Sequence, residues 1–112
     1  MNTRAEVMLW TAQRVSAMVL AVLVLVHLVT IVYAVRSGLS AAELLARTRG
    51  NGLWAGFYSL FVVMVAVHAP IGLRTILMET LDWRGGSLDA VALLSGLALA
   101  AFGMRAVMAV CF

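Results

Sequence analysis

The sequence has no lysine, one cysteine, one proline and only five acidic residues in 112. Charged residues make up 12%, against roughly a quarter in an ordinary soluble domain. With so few charges a chain this small lacks the polar surface a soluble globule needs. The lone cysteine, Cys111, forms no internal disulfide. It reads as an inert thiol and says little about redox compartment. The eight arginines stand singly between apolar runs, with no basic cluster of the nucleic-acid-binding type. Gly-rich dinucleotide fingerprints and Fe–S cysteine clusters are absent from the sequence. Internal repeats and low-complexity tracts are absent too.

What the sequence does have is hydrocarbon. Hydrophobic residues make up 64% and the mean hydropathy is +1.06. Val15 to Val35 and Leu53 to Leu73 are each 21 residues without a formal charge, and Ala90 to Phe112 is 23 residues broken only by Arg105. About 20 residues of α-helix cross a bilayer core. The first run is too long for a signal-peptide core and two more spans follow, so it reads as retained. The chain is expected to be a single all-α integral membrane domain over 1–112. Three transmembrane helices are placed at about 10–36, 53–80 and 88–111.

The connections are short. Ser40-Ala-Ala-Glu43 is a capping-box pattern and predicts a short interfacial helix at about 41–48, ended by Gly50-Asn51-Gly52. Asp82 to Ser87 forms a tight turn, with Ser87 expected to cap the third span and Asp89 in its first turn. Arg4, Arg14, Arg74 and Arg84 fall on the N-terminal side, and Arg36, Arg47 and Arg49 on the other. Four against three places the N-terminus inside and the C-terminus outside.

Ionisable groups inside lipid are expensive and are functional candidates. Both histidines lie inside spans, His27 in the first and His68 in the second. Each is a candidate ligand or proton carrier. His68, Gly72, Thr75 and Glu79 share one helical face. Gly72 either lets a flat cofactor approach the backbone or serves helix packing. Pro70 predicts a kink near His68. Ser16, His27, Thr30 and Ala34 line one face of the first span. Ala92, Gly96, Ala100 and Gly103 form a small-residue packing stripe on the third.

Two histidines suit the axial ligation of b-type haem. Measured from Arg14 and Arg74, His27 is about 20 Å deep and His68 about 9 Å deep. That difference favours two levels, each histidine finding its trans partner on another chain. Every acid lies at a boundary or in a loop, which argues against a proton-coupled transporter. A small structural or transport membrane protein is an alternative.

At Gln13-Arg14-Val15-Ser16 and His68-x3-Gly72-x-Arg74-x4-Glu79 the chain resembles a known family. It is similar to the three-helix cytochrome b anchor subunit of succinate dehydrogenase and fumarate reductase (complex II). The family's first helix opens with a His-Arg-Val-Ser-Gly motif and its second carries His-x3-Gly-x-Arg-x4-Asp. The likeness covers the whole chain in length, helix count and motif order. It implies that His68 is an axial haem ligand. It implies that Arg14 lies by the quinone head group and a haem propionate, and Arg74 by a propionate or a subunit contact. Both arginines also suit a snorkelling boundary role. Trp10, Thr11 and Ser16 flank Arg14 as candidate quinone contacts. The sequence departs from the pattern at Gln13, Ala17, Glu79 and Thr75, at Pro70 beside the ligand, and at Trp10, where the family has serine. His27 resembles the first-helix ligand of two-haem members.

The resemblance further implies haem b, one or two, and a quinone as cofactors, with a haem-free quinone-binding anchor as the alternative. The expected partners are a flavoprotein subunit, an iron–sulfur subunit, and a second anchor subunit or second copy completing a haem-binding helical bundle. The expected location is the inner (cytoplasmic) membrane. This chain would not itself be the dehydrogenase; it would contribute to the quinone reaction.

Overall fold

A computed structural model describes residues 3–112. It contains four helices: α1 (Thr3–Arg36), α2 (Ala41–Thr48), α3 (Gly52–Leu81) and α4 (Gly86–Cys111). The described residues are all helix and short turns, and α1, α3 and α4 are each long and apolar enough to span a membrane.

α1 begins at Thr3, two turns before the expected start near residue 10. Ala5, Met8 and Leu9 are good helix formers, and Glu6 in the first turn complements the helix dipole. At 1.5 Å per residue α1 is about 51 Å long. It sets the 49 Å long axis of the molecule and exceeds a ~30 Å hydrocarbon core.

α2 forms with the expected cap. The Ser40 hydroxyl accepts from the Glu43 N–H at 3.2 Å, and Glu43 Oε1 accepts from the Ser40 N–H at 3.4 Å. α2 is latched to the end of α4. Thr48 Oγ1 donates to the Val110 carbonyl at 2.9 Å, and the Gly50 N–H to the Cys111 carbonyl at 2.9 Å. Gly50 reaches that bond at φ +69°, where a side chain would be strained. Asn51 caps α3, its Oδ1 accepting from Leu53 and Trp54 N–H groups.

The α3–α4 turn differs from expectation. Gly85, at φ 100°, is the N-cap of α4 and makes no side-chain cap bond. The Ser87 hydroxyl instead accepts from Trp83 Nε1 at 2.8 Å. With α4 starting at Gly86, Ser87 lies inside its first turn and not at the cap position, and its hydroxyl takes the indole N–H instead.

α3 is the central helix. α4 packs along it extensively, α1 less so, and α1 and α4 meet each other little. The stripe on α4 is the contact. A Cβ on Gly96 would sit 2.9 Å from Pro70 Cγ and 3.2 Å from the Ala66 carbonyl oxygen. A Cβ on Gly103 would sit 2.6 Å from Val62 Cγ1. α3 stays helical through Pro70. Few described residues are buried: Ser16, Leu23, Pro70, Leu88, Ala92, Val107 and Cys111. The remaining apolar surface is open to lipid or to other subunits.

Candidate functional site

α1 and α3 run antiparallel in a definite register. Gln13 lies over Gly72, and His27 bonds to Tyr58. Fourteen residues forward along α1 therefore correspond to fourteen back along α3. By that register His68 is level with Ala17, ten residues from His27. The histidines are about 15 Å apart along the axis.

Near the N-terminal end of this seam is a cleft of about 550 Å³. Trp10, Gln13 and Arg14 line it from α1, and Gly72, Arg74 and Thr75 from α3. Four of the six candidate cofactor contacts thus converge: Trp10, Arg14, Gly72 and Arg74. The Arg14 guanidinium carbon lies 5.0 Å from the Trp10 ring centroid, a cation–π distance. Arg74 Nε donates to Asp89 Oδ1 at 2.9 Å, joining α3 to the first turn of α4. One of its five N–H donors is spent there, and its terminal nitrogens are left for another acceptor.

The other two candidates point elsewhere. Ser16 is buried and donates to the Gln13 carbonyl at 3.0 Å. Thr11 is exposed and donates to the Val7 carbonyl at 2.9 Å. Neither lines the cleft.

His68 is half-buried one turn from the cleft, about 6 Å from Gly72 along α3. Its Nδ1 is buried without a hydrogen-bond partner, and so is Gln13 Oε1 in the same seam. An unmet buried donor or acceptor costs roughly 1–3 kcal/mol. The space above Gly72, considered above as a cofactor approach, holds Gln13, whose Nε2 would lie 3.3 Å from a Cβ there.

His27 sits among aromatic rings of α3. Its Nδ1 is 3.2 Å from Tyr58 Oη, and its ring meets Tyr58 and Phe61 edge-on at 5.6 and 5.7 Å between centroids. Tyr58, like Asp89 as the partner of Arg74, carries no sequence signal. It stands ten residues before His68, off that residue's helical face, and only the register of two helices brings it to His27.

A second groove, of about 730 Å³, adjoins the cleft at Leu9, Ile71 and Arg74. α1 and α4 form its walls and Pro70 its floor. Its lining is apolar except at Arg74 and Asp89.

No cluster of three or more His, Cys, Asp or Glu side chains able to hold a metal occurs among the described residues. Haem makes a smaller demand, since the porphyrin supplies four nitrogens and the protein adds axial ligands. Both histidines fit that demand. On each ring Nε2 is neither enclosed nor hydrogen-bonded within the chain.

Three apolar helices, with α1 and α4 packed on a central α3, define a multi-pass α-helical membrane protein with a cleft near one end of the α1–α3 seam. The family model described as succinate dehydrogenase/fumarate reductase transmembrane subunit matches residues 1–110, and the chain belongs to that family. It is therefore a membrane subunit of an oxidoreductase complex. Neither the curated proteins nor the solved structures give a match.

Proposed function

We propose that this subunit anchors the complex in the inner membrane, N-terminus inside, and carries electrons between an iron–sulfur subunit and quinone through b-type haem. The flavoprotein and iron–sulfur subunits are separate chains. A second anchor subunit, or a second copy of this one, supplies the missing side of the helical bundle, because three helices enclose so little. The observation that carries the reading is the cleft. It gathers Arg14, Arg74 and Trp10 one helical turn from the open Nε2 of His68.

Each residue has a task. Arg14 and the free nitrogens of Arg74 donate to the quinone oxygens or a propionate, where negative charge needs fixed donors. Trp10 holds the Arg14 guanidinium and offers a flat face to the quinone ring. The adjoining apolar groove takes the quinone's hydrocarbon tail. His68 and His27 would hold haem at two levels, since 15 Å is too far for two ligands on one iron. The haem, when bound, passes single electrons, and the protein sets its ligands and low-dielectric surroundings.

The test is a reduced-minus-oxidised optical spectrum of the purified complex, with haem quantified per copy of this chain. His27→Ala and His68→Ala complexes stand beside it. The expected result is two haems, one lost in each variant. One haem lost only with His68 reduces the reading to a one-haem anchor. No haem in the intact complex replaces it with a quinone-only anchor.

A further inference from the structure

His27 differs from His68 in one respect that has a chemical consequence. The inward nitrogen of His68 is orphaned, whereas that of His27 faces a hydroxyl. We propose that Tyr58 is a positioning residue that accepts a hydrogen bond from His27 Nδ1–H. It thereby fixes the tautomer that leaves Nε2 free to bind iron. The inference rests on the reading of His27 as a haem ligand.

The direction of the bond follows from the ligand reading. An imidazole that binds iron through Nε2 keeps its proton on Nδ1, so Nδ1–H donates and the Tyr58 hydroxyl oxygen, 3.2 Å away, accepts. The reverse direction would put the proton on Nε2, where it would block the metal. Thr30 Oγ1 donates to the His27 backbone carbonyl at 2.6 Å and so is satisfied within α1.

The ring contacts add stiffness. Tyr58 and Phe61 meet the imidazole edge-on, at 88° and 80°, and hold its plane in place. Trp54 stacks on Tyr58 at 5.7 Å, which fixes the phenol in turn. An acceptor on the distal nitrogen makes an imidazole a more basic ligand. A more basic ligand favours Fe(III) over Fe(II), so this tyrosine lowers the potential of the haem it serves.

The experiment uses the intact purified complex. Tyr58→Phe keeps the ring and removes the acceptor. Redox titration followed optically, with low-temperature EPR of the oxidised complex, reads each haem separately. The expected result is unchanged haem content and an Fe(III)/Fe(II) ratio shifted roughly tenfold toward Fe(II) at the His27 haem. For one electron that is an upward shift of about 59 mV. Its EPR g-values move, and those of the His68 haem do not. Trp54→Leu, which removes the stack that fixes the Tyr58 phenol, shifts the same haem the same way by less. It serves as the test if Tyr58→Phe does not assemble. Unchanged potential and g-values in whichever of these variants assemble, while His27→Ala loses a haem, overturn the role of Tyr58 alone. Full haem content in His27→Ala overturns the ligand reading and the role of Tyr58 with it.

Discussion

Arg14 is the residue whose two roles separate most cleanly by experiment. As a quinone contact it makes charge-assisted hydrogen bonds worth about 1.5–3 kcal/mol each. Arg14→Ala should then raise the KM for quinone by tenfold or more in steady-state assays of the complex. Succinate oxidation by an artificial dye should stay unchanged, because that reaction bypasses the membrane subunit. Arg14→Lys should recover only part, since an ammonium neither forks onto an oxygen nor stacks on Trp10 as guanidinium does. An unaltered quinone KM in Arg14→Ala would reduce Arg14 to a boundary anchor. Arg74 is more constrained. It is mostly buried (17% of the side chain exposed) and tied to Asp89, itself half exposed, so the pair adds only modest stability. Its value is orientation: with Nε held on Asp89, the terminal nitrogens stay near the cleft.

At the scale of elements, the α3–α4 contact is set by two glycines with different neighbours. Gly96 faces the rigid ring of Pro70 and a backbone carbonyl, while Gly103 faces the movable side chain of Val62. Overpacking costs about 1–3 kcal/mol when the neighbour must yield, and a proline ring yields least. Gly96→Ala should therefore lower the thermal midpoint of the detergent-solubilised complex more than Gly103→Ala does, although the nominal clash at Gly103 is closer. Equal effects would show that the helices separate as rigid bodies instead. α2 depends on its box. Ser40→Ala removes the bond to the Glu43 N–H and should cost about 0.5–2 kcal/mol. The loss should appear as faster amide exchange over 41–48, with α3 protected as before.

For the whole molecule the governing fact is exposure. Val22, Leu25, Leu93, Leu97 and Phe102 are each more than half exposed on helices that span the bilayer. The fold is held by two helix seams, and the rest of its apolar surface is left uncovered. Three spans put the two loops on opposite faces. In a Cys111→Ser background, Arg84→Cys should react with an impermeant maleimide from the cytoplasmic side, and Ser37→Cys from the opposite side. The reverse pattern would invert the proposed orientation and move the cleft to the other face of the membrane.

Hydropathy alone was sufficient to locate the three spans, because lipid imposes a length and an apolarity that few other settings demand. The box at Ser40 and Glu43 and the stripe from Ala92 to Gly103 were equally legible, since both are periodic within one helix. Family membership was legible from the spacing of His68, Gly72, Arg74 and Glu79, again within one helix. Contacts between helices were not. The register that sets Gln13 over Gly72 and His27 beside Tyr58 depends on how side chains of α1 and α3 interlock, and no local pattern encodes it. The same holds for Asp89 on Arg74. Local periodicity determined which residues each helix could offer. Packing between helices decided which of them meet, because a polar group in an apolar span takes whatever partner the neighbouring helix presents.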